Sequence, residues 1–245
     1  NTDGSIMEHS KQQPLLQVKN SRDADGRLTS LDGWRGISIL LVLAAHFLPL
    51  GPKLWNLNST AGPLGMALFF TLSGFLITNF LLHHRSVTDF LIRRFFRIVP
   101  LAWLGLLIGL TMAGASSETY IANFFFFANM PPFWLSEVTA HYWSLCVEVQ
   151  FYLGIALLFL FFKEKGLLLL PLLCLLVTAF RVIHGEYISI ETYFRVDEIL
   201  AGAILALAYD GRLGKGLPRL IGVSNQYLLL GLLLVSCHPD SGAMM

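Results

Sequence analysis

The sequence predicts an all-α fold: a polytopic integral-membrane helical bundle of about seven spans. Three observations carry this. The 245 residues are 55% hydrophobic and 13% charged, with mean hydropathy +0.63, too apolar for the surface of an ordinary soluble domain. Apolar runs of spanning or near-spanning length recur at about 36–50, 63–82, 98–115, 143–162, 167–184, 193–209 and 225–236, the last of them short. Lysine and arginine collect in alternate loops, as the positive-inside rule requires. The net charge of +1 selects no partner by bulk electrostatics, and the absence of a basic stripe argues against nucleic acid.

Residues 1–30 are polar and mixed in charge, without a short apolar core and small-residue cleavage site. They are expected to be a disordered cytoplasmic tail rather than a signal peptide. Residues 31–245 then form one membrane domain, with no soluble insertion and no internal repeat.

The first apolar run, LDGWRGISILLVLAAHFLPL, carries Arg35 and His46 eleven residues apart. In an α-helix eleven steps come to roughly 1100°, about 20° past three turns, so both side chains face one way about 16 Å apart. If Arg35 marks a membrane surface, His46 lies near mid-depth, where an ionisable group marks a functional site by default. His46 can be a hydrogen-bonded core residue, or it can take a proton from a hydroxyl as a general base. Haem ligation finds no paired mid-membrane partner for it among His83, His84, His141 and His184, which sit at loop edges.

FFTLSGFLIT places Ser73-Gly74 in the second span. The step permits close helix packing, and it lacks the glycine pattern of a hydrolase nucleophile elbow. In VTDFLIRRFFRIVPLAWLG, Thr88 or Asp89 can cap a helix carrying Arg93, Arg94 and Arg97, and Pro100 is expected to break or kink it where the third span begins. These arginines can anchor orientation at the inner interface, or present guanidinium forks to phosphate. TYIANFFFFANM, at twelve residues, is too short to cross and is followed by Pro131-Pro132, so it reads as an interfacial or re-entrant segment.

HYWSLCVEVQFYL puts Glu148 inside an apolar helix, with Ser144 one turn before and Tyr152 one turn after on the same face. A carboxylate there needs a partner, either in a structural hydrogen-bond network or as the group that orients and charges a site. YFRVDEILAGAILAL carries Arg195, Asp197 and Glu198 at a span entrance, read as an interfacial charge network. Cys146, Cys174 and Cys237 read as free thiols, and nothing has metal-ligand spacing, so no metal site is expected.

Charge counting supports this order. With the N-terminus inside and 119–130 not crossing, fourteen of the seventeen lysines and arginines fall on the inner side, leaving Lys53, Arg181 and Arg195 outside. The cytoplasmic N-terminus and a plasma (inner) membrane location follow as expectations.

In this order, LDGWRGISILLVLAAHF, FFTLSGFLIT, FLIRRFFRIVPLAW, YWSLCVEVQFYL and FRVDEILAGAILAL resemble the membrane acyltransferase-3 family of cell-surface O-acyltransferases. The resemblance runs from about Leu31 to Tyr209. It implies a membrane enzyme that moves an acyl group, usually acetyl, from cytoplasmic acyl-CoA to a hydroxyl of an extracytoplasmic glycan or related acceptor. It also implies a catalytic His46 with Arg35 as its motif partner, matches of Arg93, Arg94 and Arg97 to the family's arginine motif, and a match of Glu148 to its Trp-Ser-Leu-x-x-Glu motif. Family members carry more spans, so the transmembrane acyltransferase domain of 31–245 is expected to be incomplete at its C-terminus. In the proposed chemistry the three arginines receive the donor's phosphates, and His46, with Glu148 orienting or charging the site, removes the acceptor proton. The rival classes are a proton-coupled transporter or flippase of a polar lipid or sugar, with His46 and Glu148 as relay groups, and a non-catalytic membrane scaffold.

Overall fold

The computed structural model describes residues 29–214 apart from 85, 187 and 188, together with 216 and 231. The tail 1–28, the seventh apolar run at 225–236 and Cys237 lie outside the described residues. Among the described residues all regular structure is helical. In chain order the helices are α1 (Thr29–Phe47), α2 (Leu57–His84), α3 (Val87–Met112), α4 (Ser117–Phe124), α5 (Trp143–Leu167), α6 (Leu170–His184), α7 (Thr192–Arg195) and α8 (Asp197–Tyr209), with 3₁₀ turns at Lys53–Trp55 and Ala140–Tyr142.

Among the described residues three helices are long and apolar enough to cross a membrane: α2, α3 and the stretch Ala140–Leu167 that contains α5. The expected total of about seven also relied on α1, α6 and α8, which have 19, 15 and 13 residues. Large apolar side chains such as Leu40, Phe96, Leu101, Phe161 and Ile183 point outward, the arrangement of a bundle whose solvent is lipid.

Several boundaries depart from the sequence reading. α1 begins at least seven residues before the apolar run at 36, so Arg35 lies inside it. α3 is capped by Ser86, whose hydroxyl accepts from the Asp89 amide at 3.2 Å, not by Thr88 or Asp89. Pro100 sits within α3 without ending it; a mid-helix proline removes one hydrogen bond, and packing on both sides carries the helix through. Lys163, at φ 52°, interrupts α5 where the apolar run 143–162 stops.

Small residues set the helix crossings. A Cβ on Gly74 would lie 1.9 Å from the Ile199 carbonyl oxygen, and one on Gly202 would lie 1.9 Å from that of Thr71, so α2 and α8 touch backbone to backbone. On the other face of α2, a Cβ on Gly65 would meet the Ser38 carbonyl at 2.7 Å, which holds α1 equally close.

The segment read as interfacial or re-entrant forms no helix long enough to cross. After the eight-residue α4 it turns through Phe126 and Phe133, both at positive φ, and enters α5 partway along the bundle. Trp143 packs edge-on against Phe70 in the middle of α2, and Tyr142 donates to the Ala102 carbonyl in the middle of α3. Irregular backbone inside a membrane domain must find its polar partners in the protein. Asn123 donates to the Thr119 and Trp134 carbonyls, Gln150 to Phe126 O and Asn129 Oδ1, and Asn129 to Ile190 O and Thr192 Oγ1. Outside the spans, at the start of α4, the Glu118 carboxyl is held below its usual range by its own backbone N–H and by Ser116.

Candidate functional site

Glu148 stands in the second turn of α5, only 2% exposed. Three donors from three helices converge on its Oε1: Arg35 Nη2 of α1 at 3.4 Å, Ser73 Oγ of α2 at 3.0 Å, and the hydroxyl of Tyr152 one turn further along α5. Tyr152 is where helical spacing put it. Ser144, expected on the same face, instead donates to the His141 carbonyl. Ser73 was read as packing; Gly74 does the packing and frees the serine to bond the carboxylate.

Cations outnumber the carboxylate here. The Arg35 guanidinium lies 5.1 Å above the Phe69 ring, and that of Arg94 lies 5.6 Å from the Tyr152 ring centre and 5.9 Å from that of Phe90. Arg97 is within electrostatic reach of Arg35, Arg94 and Asp32. Arg35 Nη1 and Arg94 Nη1 are buried without a hydrogen-bond partner among the described residues, so both can donate to an added anion. Arg93 and Arg97 are both exposed, and neither makes a hydrogen bond or ion pair among the described residues; Arg94, half-buried over Tyr152, is the inward member of the three.

The helix across Arg35 and His46 is unbroken, so the predicted shared direction and rise of about 16 Å hold. Their depths are shifted. Arg35 is 7% exposed and level with Phe69 and Ser73 in the middle of α2, not at a bundle surface. His46 is exposed in the last turn of α1, where Asn58, in the first turn of α2, donates to the neighbouring Ala45 carbonyl. The cause is the early start of α1, which draws Arg35 inward to its carboxylate. The His46 ring nitrogen Nδ1 lies 2.8 Å from the Val42 carbonyl, which can only accept, so in the neutral ring it is Nε2 that carries the lone pair. His83 and His184 make the same bond one turn back, so this is an ordinary helical histidine geometry.

A cleft of about 350 Å³ opens between α3 and the start of α5, lined by Arg97, Leu101, His141, Tyr142 and Ser144 among others. His141, which the sequence placed at a loop edge without relation to His46, is within electrostatic reach of it. Sequence reasoning missed His141 because the mid-bundle start of α5 is a tertiary property; its signal was the place immediately before Tyr142-Trp143-Ser144. A second hollow of about 360 Å³, almost wholly apolar, runs beside Arg94 and Tyr152 between Phe95, Val99 and Leu153.

The charges at the entrance of α8 do form a network, and two of them, Arg195 and Asp197, are buried in the bundle. Arg181 pairs with Asp197 at 2.9 Å and Arg195 with Glu198 at 3.2 Å, with Arg195 and Asp197 each 7% exposed and the Arg195 guanidinium 5.9 Å from the Trp143 ring centre. Cys146 and Cys174 are free thiols.

The chain is 28% identical to the peptidoglycan O-acetyltransferase OatA of Listeria monocytogenes, over 78% of this chain and 35% of that protein. It is 24% identical to the O-acetyltransferase OatA of Staphylococcus aureus, over 87% of this chain and 41% of that protein. It is 29% identical to the putative peptidoglycan O-acetyltransferase YrhL of Bacillus subtilis, over 51% of this chain and 23% of that protein. The alignments thus span well under half of these relatives. No solved structure matches the chain. Residues 28–239 match the family described as an acyltransferase domain, which covers the five motifs and every helix from α1 to α8: the chain belongs to the membrane acyltransferase-3 family.

Proposed function

We propose that this chain is the membrane unit of a cell-envelope O-acyltransferase, taking an acetyl group from cytoplasmic acetyl-CoA and delivering it to a hydroxyl of an extracytoplasmic glycan of the peptidoglycan class. The observation that carries the reading is the buried meeting of Arg35, Ser73, Glu148 and Tyr152, flanked by Arg94 and Arg97, with Nη1 of Arg35 and of Arg94 left without a partner among the described residues. Family membership supplies the reaction class, and the names of the relatives supply the acceptor class.

In this reading the N-terminus is cytoplasmic, and the donor's phosphates approach Arg94 and Arg97, with Arg93 at the rim. Glu148 holds Arg35 in place and keeps the cluster from carrying uncompensated positive charge. His46, with Nε2 unprotonated, removes the acceptor proton as the hydroxyl attacks the thioester. General-base help of this kind is worth about 10²–10⁴-fold, so the helices must also hold donor and acceptor in register.

The test is transfer from acetyl-labelled acetyl-CoA, added on the side that carries the N-terminus, to muropeptides on the other side of reconstituted vesicles. Base-labile label in the acceptor supports the reading. Proton-driven uptake of a sugar or lipid, with no ester formed, would replace it with the transporter class.

A further inference from the structure

We propose that His141 is the donor that holds the thioester carbonyl oxygen during transfer, in the cleft it shares with Arg97; the inference rests on the acyl-transfer reading above. Three observations support it. The ring lines the cleft between α3 and the start of α5, with the Arg97 guanidinium on the opposite wall. Neither ring nitrogen has a hydrogen-bond partner among the described residues, although the neighbouring polar groups are engaged: Tyr142 with the Ala102 carbonyl and Ser144 with the His141 carbonyl. The ring is also held in place. It packs on Tyr142 at 4.9 Å between ring centres, and Tyr142 is seated against Gly105, where a Cβ would come within 2.6 Å of the phenol oxygen.

An imidazole held by packing rather than by its own hydrogen bonds keeps an N–H for a ligand. It also feels the charge of His46, and the proposal sets the reacting carbon between the two rings. The two then have complementary roles. The acceptor oxygen forms a bond to the acyl carbon while its proton passes to His46 Nε2. Negative charge grows on the carbonyl oxygen, where the His141 N–H donates to it. The carbon–sulfur bond breaks, and the proton on His46 passes to the departing thiolate, leaving an ester and free CoA thiol. Arg97, across the cleft, is left to the donor's phosphates.

The experiment measures CoA thiol release from acetyl-CoA with a chitooligosaccharide acceptor, using the full chain in vesicles, for the wild type, His141→Ala and His141→Gln. Loss of one oxyanion donor lowers kcat about 10²–10³-fold, so the alanine variant should fall that far while its acetyl-CoA KM stays within about twofold. Glutamine offers an N–H at a similar reach and should recover about tenfold or more of the loss. An alanine variant at the wild-type rate would overturn the proposal while leaving the acyl-transfer reading standing. So would a change confined to KM, or a glutamine variant no better than alanine although both insert and elute like the wild type. A wild type that releases no thiol under any acceptor condition would remove the acyl-CoA reading and this proposal together.

Discussion

Arg35 and Glu148, 113 residues apart in sequence, meet at 3.4 Å in the interior of the bundle, each less than a tenth exposed. This pair joins α1 to α5 and sets the electrostatic balance of the site, because the same carboxylate oxygen also receives Ser73 and Tyr152. Removing one partner of a buried pair leaves a charge without compensation, at about 3–5 kcal/mol. Glu148→Ala is expected to lower the detergent-solubilised melting temperature markedly. Glu148→Gln keeps an acceptor for Ser73 and Tyr152 and loses only the charge, so its loss should be visibly smaller. Equal melting temperatures for wild type and Glu148→Ala would mean that the pair does not hold α1 to α5.

His46 is exposed and bonded only to its own helix, so His46→Ala should leave folding and insertion intact. As the proposed general base it should lower kcat by about 10²–10⁴-fold. Near wild-type transfer by this variant would take His46 out of the mechanism.

The arginine cluster divides by geometry. Arg94 is half-buried against Tyr152, whereas Arg93 and Arg97 are exposed; of these two, Arg97 lines the cleft and is within electrostatic reach of Arg35 and Arg94. Lysine keeps the positive charge that fixes orientation but not the planar fork, so Arg94→Lys and Arg97→Lys should each raise the acetyl-CoA KM several-fold to about tenfold. Arg93→Lys should leave it unchanged. Donor-titration kinetics on the three variants check this, and a wild-type KM in all three would return the cluster to a purely topological role.

The α2–α8 crossing makes a stability prediction independent of chemistry. Gly74→Ala and Gly202→Ala each drive a methyl into a backbone carbonyl of the other helix. Backbone cannot swing aside as a side chain can, so each should destabilise by at least about 1–3 kcal/mol. Gly36→Ala, with nothing within 4 Å of its Cβ position, is the control and should be neutral or stabilising by up to about 1 kcal/mol. Thermal unfolding in detergent reads all three.

Much of this was legible in the chain itself. Composition and run length determine an all-α membrane bundle, because a long apolar segment in lipid must satisfy its backbone internally and a helix does so alone. The 3.6-residue period determines that Arg35 and His46 face one way and that Tyr152 follows Glu148 on one face, since both relations lie within a single helix. The short length of 119–130 likewise determines that this segment forms no spanning helix.

Only the tertiary structure decided what depends on separate helices. It moved Arg35 from a supposed surface to mid-bundle, put Ser73 on Glu148, turned Arg94 inward while Arg93 and Arg97 stay exposed, and buried the Arg195 and Asp197 charges. It also started α5 in the middle of the bundle, which carries His141 from an apparent loop edge to a cleft opposite Arg97 and within reach of His46. Local periodicity reports direction around one helix axis but not the height at which neighbouring helices meet. That height is set by where glycines such as Gly65, Gly74 and Gly202 let backbones touch, and by which buried charges must find each other once lipid has replaced water.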